Sequence, residues 1–138
     1  MFSAIIAQLK TLIQAVSGVQ LVYDYEPNKP TQYPFVSITP LGHTRSQYNT
    51  LRDATREVKI MLRVYGHLHE TQKTGQTNLR TVVDSIINTL EHKDNVDLGG
   101  TIDYSELSES TFRFINKESQ LYVCEIIYYA RVRFNRFS

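Results

Sequence analysis

The sequence predicts an α+β fold: a mainly antiparallel β-sheet flanked by two amphipathic helices, in the order α-β-β-β-α-β-β. Three observations carry this prediction. Two segments place apolar residues on a single helical stripe, and the segments between and after them alternate apolar with polar residues. No low-complexity tract or linker divides the 138 residues, so one domain over 1–138 is expected. A stripe that covers one side of a helix must be buried against something, and a sheet with one apolar face is the simplest partner.

The first helix is read from Ile5, Ile6, Leu9, Leu12, Ile13 and Val16, with Gln8, Lys10, Thr11 and Gln14 opposite. Ser3 is its expected N-cap and Gly18 its stop. GVQLVYDYEP follows as a strand-like run that Pro27 ends, and 26–33 reads as an exposed turn. YPFVSIT (33–39) is the second expected strand, after which Pro40 and Gly42 bend or bulge the chain.

The polar stretch 43–56 is either a loop or a hairpin arm projecting from the sheet, because structureless loops of this length are uncommon. It feeds REVKIMLRVYG, with Val58, Ile60, Leu62 and Val64 on one face and Lys59, Met61 and Arg63 on the other. That alternation predicts one buried and one wetter face. Leu79, Val82, Val83, Ile86, Ile87 and Leu90 then define the second helix, capped by Thr71 or Thr74. After a turn at 91–100, candidate strands lie at 101–107 and 111–115. The closing run QLYVCEIIYYARVRF puts Tyr122, Cys124, Ile126, Tyr128, Ala130, Val132 and Phe134 on one face. Glu125, Arg131 and Arg133 mark the other. This run is about twice the modal strand length, and a strand that outlasts its neighbours leaves backbone for another chain to pair with.

Composition narrows function. The formal net charge is +1, which argues against bulk phosphate neutralisation as a binding mode. The single cysteine, Cys124, has no internal disulfide partner, and its place on an apolar strand face predicts an inert, buried thiol. The opening segment MFSAIIAQLKTLIQAV carries no basic leader and is broken by Gln8, Lys10 and Gln14. It is therefore expected to be neither a signal peptide nor a membrane span.

The search for chemistry yields little. His67 and His69, with Glu70 beside them, have two-residue spacing suited to zinc but no third ligand, so a solvated connection is the simpler reading. Asp24 with Glu26, or Asp103 with Glu106, can be imagined as acid/base pairs, but both fall in turn-prone or edge-like segments expected to be solvated. Gly99-Gly100 lacks the lysine and spacing of a phosphate loop and reads as a turn. No enzyme, cofactor or metal is expected. Two features point to contacts instead: the polar arm, and the basic and aromatic end of the chain, which in a rival reading binds single-stranded nucleic acid.

Taken in order, the opening helix, YDYEPNKPTQYPFVSI, the arm feeding REVKIMLRVYGH, TNLRTVVDSIINTLE and YVCEIIYYARVRF resemble the tail terminator (tail-to-head joining) proteins of long-tailed bacteriophages. The resemblance is one of layout and covers nearly the whole chain. It implies a virion protein, assembled in the host cytoplasm, that forms a hexameric ring on the last ring of tail-tube protein. The ring would stop tube growth and meet the head-tail connector or neck protein, while DNA passes through its lumen without specific binding. Such a ring closes through heterologous contacts whose rotations complete a turn. The residues expected at the subunit interface are Arg45, Tyr48, Arg52 and Arg56 on the arm, with Arg131 and Arg133 on the last strand. A head-completion or neck ring protein of the same particle is the nearest alternative, and a metal hydrolase at His67 and His69 the enzymatic one.

Overall fold

The computed structural model describes residues 2–27, 32–44, 47–48, 53–67, 72–116 and 121–135. Helix α1 (Phe2–Gln14) buries Ile5, Leu9 and Ile13, as its stripe predicts. It starts at Phe2, so Ser3 lies inside the first turn rather than capping it. Its exit is tight. Ala15 and Val16 donate backbone N–H bonds to Leu12 and Ile13, and Gly18 follows with φ +94°. A Cβ at Gly18 would sit 2.9 Å from Val82 Cγ2, so the helix stop is also where α1 comes close to α2 (Gln72–Glu91). In α2, Leu79, Val82, Val83, Ile86 and Leu90 are buried and Ile87 is partly so. Thr74 lies within this helix and does not cap it, and Thr71 falls outside the described residues.

The seven-stranded sheet runs β1-β2-β4-β7-β5, with β3 also on β4 and β6 also on β7. Its members are β1 (Leu21–Tyr23), β2 (Phe35–His43), β3 (Gln47–Tyr48), β4 (Asp53–His67), β5 (Tyr104–Leu107), β6 (Thr111–Asn116) and β7 (Leu121–Asn135). β1 and β2 are parallel, and the remaining pairs are antiparallel. The predicted α+β class is therefore the observed one. The first strand is shorter than GVQLVYDYEP suggested, because the chain leaves the sheet after Tyr23. β2 is longer than expected and continues through Pro40, where the register shifts between Pro40 and Gly42.

β4 and β7 are the spine, each of 15 residues and paired from Asp53↔Asn135 to His67↔Leu121. Their alternation works as the sequence foretold. Val58, Ile60, Leu62 and Val64 on β4, and Cys124, Ile126, Tyr128 and Ala130 on β7, are buried in one cluster with both helices. Each fully buried aliphatic side chain of this kind stabilises the fold by roughly 1.5–3 kcal/mol. β5 and β6 lie end to end along one edge of β7, and Ser108 bridges the break. Its N–H donates to Ile127 O at 2.9 Å, and its Oγ accepts from Ile127 N–H at 2.8 Å, so a side chain replaces a missing ladder carbonyl. The turn predicted around Gly99-Gly100 is a 3-10 turn, Leu98–Gly100, pinned by the buried Leu98.

Candidate functional site

The polar stretch after β2 forms part of a hairpin. Gln47 and Tyr48 pair with Thr55 and Ala54, and Thr44 N–H donates to Glu57 O at 2.9 Å. The described part of the arm thus lies beside the start of β4, where Ala54 is still fully buried. Of the residues expected at an interface, Arg45 and Arg52 lie outside the described residues, as does the side chain of Tyr48. Arg56 is half-buried and pairs in register with Val132, in phase with Val58 and so on the helix-covered face. Arg131 and Arg133 are exposed, opposite Glu57 and Thr55, on the other face. The three described arginines are therefore split between two faces of one strand pair.

β7 does not outlast β4, contrary to the simplest reading of its length. It outlasts β5: Tyr104 pairs with Arg131, Asp103 N–H donates to Arg131 O at 3.0 Å, and no described strand flanks β7 on that side from Val132 to Asn135.

The face away from the helices holds a second feature that sequence reasoning missed. Register places Ser37, Arg63 and Glu125 side by side across β2, β4 and β7. Glu26, in the connection after β1, folds over them. Its carboxylate accepts from Ser37 Oγ at 2.6 Å, from the Arg63 guanidinium at 2.7 Å and from the Tyr65 hydroxyl at 3.0 Å. Arg63 also donates to Glu125 at 3.1 Å, and Glu125 accepts from Arg113 on β6 at 2.6 Å. The result is an alternating row Glu26–Arg63–Glu125–Arg113. Burial raises the Glu26 carboxyl, but the bonds from Ser37, Arg63 and Tyr65 outweigh it and hold it below its ordinary value. The Arg113 bond, helped by Arg63, does the same for Glu125 against its burial. Burial and the neighbouring Glu26 carboxylate push Tyr65 up to about 12.

Glu26, expected to be solvated, is 41% exposed but engaged by three donors, and the wetter face of the sheet has a buried patch of its own. Phe35, Ser37 and Val123 on that face are buried, with Phe35 stacked on Tyr65 at 4.6 Å and met edge-on by Tyr23 at 5.6 Å. The signal was the tyrosine-rich YDYEP segment, whose rings cover this end of the sheet. Asp24, the partner imagined for Glu26, is exposed and takes no part.

Cys124 is fully buried, and burial pushes its thiol up to about 12, as its place on the apolar face predicts. His69 and Glu70, and the side chain of His67, lie outside the described residues. Among the described residues no group of three or more His, Cys, Asp or Glu is placed to hold a metal. No described helix is long and apolar enough to cross a membrane.

Comparison with known proteins adds one finding on the fold. The chain is similar to a chain in the solved virion of a native gene transfer agent particle, with a TM-score of 0.54 and 15% identity. The match covers 91% of this chain and 84% of that one. No family model and no curated protein matches the sequence.

Proposed function

We propose that this chain is a structural protein of a phage-like virion, and that it closes the tail tube as a homo-oligomeric ring. In this role it stops tube growth and presents a surface to the head-tail connector, with DNA passing through the centre. The observation that carries the reading is the shared fold with a chain of a gene transfer agent virion over nearly the full length of both. The layout likeness to tail terminators supports the finer assignment, and a hexamer is the ring it implies. A long strand whose edge stays open past β5, next to exposed arginines, suits a protein whose work is contact between subunits. The chemistry required is geometric closure and needs no catalytic group.

The test is native mass over a range of concentrations, with electron microscopy of the largest species and binding to purified tail tubes. The expected result is a six-fold ring with a central hole that sits on the tube end. A ring that binds the head connector but not the tube would make it a neck ring instead. A stable dimer at every concentration, or a monomer that neither assembles nor binds tubes, would sink the proposal.

A further inference from the structure

Between the C-terminal end of α2 and β5 lies an open groove of about 290 Å³. Leu90, Val96 and Leu107 give it an apolar lining, with Tyr104, Glu91 and Glu106 around them. One wall is a bare strand edge. Ser108 N–H donates to Ile127 O, so Tyr104 and Glu106, the residues in step with Ser108, turn their backbone groups toward β7. The backbone groups of Ser105 and Leu107 therefore point away from β7, and no described strand pairs with that edge. Tyr104 on the same strand is 47% exposed.

The surroundings of the groove are acidic. Glu91, Asp94, Asp97, Asp103, Glu106 and Glu109 are all exposed, and Lys93 is the one lysine or arginine among residues 91–109. Arg131, opposite Tyr104 in register, adds a cation at the rim and still leaves the balance negative. Glu91 and Glu106 make no ion pair among the described residues. The helix contributes the same sign, because its last turn has no basic residue and the carbonyl end of a helix carries partial negative charge.

We propose that this groove binds an extended segment of another protein, one that alternates apolar and basic residues and adds to β5 as a further strand. In strand addition the main chain supplies affinity and alternate side chains supply specificity. Ser105 and Leu107 offer the free backbone groups. Ser105 and Leu107 pair with the buried Ala130 and Tyr128, and so share the helix-covered face, whereas Tyr104 and Glu106 share the open face. The guest's side chains divide accordingly. Apolar ones pack on Leu90, Val96 and Leu107, and basic ones stand beside Glu106 with the Tyr104 ring next to them. The charge excess sets the sign of the partner, and the two faces of β5 set its alternation. The inference goes beyond the assembly reading above and does not depend on ring closure.

The probe is a fluorescein-labelled synthetic peptide of alternating lysine and valine, about six residues long. It is titrated with the full-length protein and followed by fluorescence anisotropy. One control peptide has the same composition with its lysines and valines in separate blocks, and another is the alternating peptide with every second amide N-methylated. Wild type should bind the alternating peptide at least ~10-fold more tightly than either control, since only that peptide can pair with the edge and divide its side chains. Glu91→Lys with Glu106→Lys should weaken binding at least ~10-fold, because like charges now meet. Circular dichroism melts check that the variant folds. If it does not, Glu91→Gln with Glu106→Gln carries the test, with a loss of at least ~3-fold expected. No binding to wild type up to about 1 mM overturns the proposal. Equal binding of the controls overturns it too, as plain charge attraction, and so does wild-type binding by a folded variant. Self-association of the chain that shuts the peptide out would give the groove to a second copy and overturn it as well. None of these outcomes touches the tail reading, which tube binding decides.

Discussion

The two ends of the β4–β7 pair handle charge in opposite ways. At the Tyr65–Val123 end, two carboxylates and two guanidiniums form a row in which each charge has a partner within 3.1 Å. Glu125 is only 20% exposed there and Arg63 26%. At the other end Arg131 and Arg133 are exposed, and Arg131 has no ion pair among the described residues. The same two strands thus carry a closed electrostatic row at one end and, at the other, an exposed Arg131 that makes no ion pair among the described residues. Charges that satisfy each other fasten the connection after β1 to the sheet, whereas Arg131 fastens nothing within the described chain.

The comparison breaks most visibly at Arg63. Replacing it with Met leaves Glu26 and Glu125 near each other without the cation between them, and should cost about 2 kcal/mol in urea unfolding. A loss below a few tenths would mean that the row is decorative. Glu26→Gln keeps the shape but weakens three bonds to one group, and a loss of about 1 kcal/mol is expected.

Acid offers a subtler probe. The folded carboxyls of Glu26 and Glu125 lie below their ordinary 4.5, so folding favours the charged form. Their contribution is fully present above that value and drains away as pH falls through the lower folded values. Tyr65 runs the other way, raised from 10.0 to about 12, so its contribution is present below pH 10 and is lost as pH rises through that window. The acid-side slope should flatten in Arg63→Met. The smallest effect belongs to the open end: Arg131→Met should leave stability within about 0.5 kcal/mol while weakening self-association. If it destabilised the monomer as much as Arg63→Met does, the contrast between the two ends would be lost.

Much of the fold was legible because period and burial coincide. The alternation of Val58, Ile60, Leu62 and Val64 named the buried face of β4 outright, and the stripes of α1 and α2 named theirs. The hairpin was half legible: a polar stretch without Gly or Pro ran directly into a strand, but loop and arm look alike until pairing is known. The row around Glu26 was not legible. Arg63 and Glu125 are 62 residues apart, and only the register of β4 against β7 puts them side by side. Ser108 standing in for a ladder carbonyl is invisible for the same reason, since it depends on where β5 stops against β7.

One consequence remains in the unbroken pairing of β4 with β7. Burial on β4 reaches Ala54, and the ladder ends one pair later at Asp53↔Asn135 without a bulge. From Val132 to Asn135 the stretch of β7 unflanked on the β5 side extends roughly 10 Å, at about 3.4 Å per residue. Because it is an extension of the core strands rather than a tethered loop, its backbone is ordered by folding itself. A partner that receives it meets a preorganised shape and does not bear the entropy of straightening a chain. Weak, reversible contacts can then add up to a closed assembly, since little of each contact's free energy is lost to ordering.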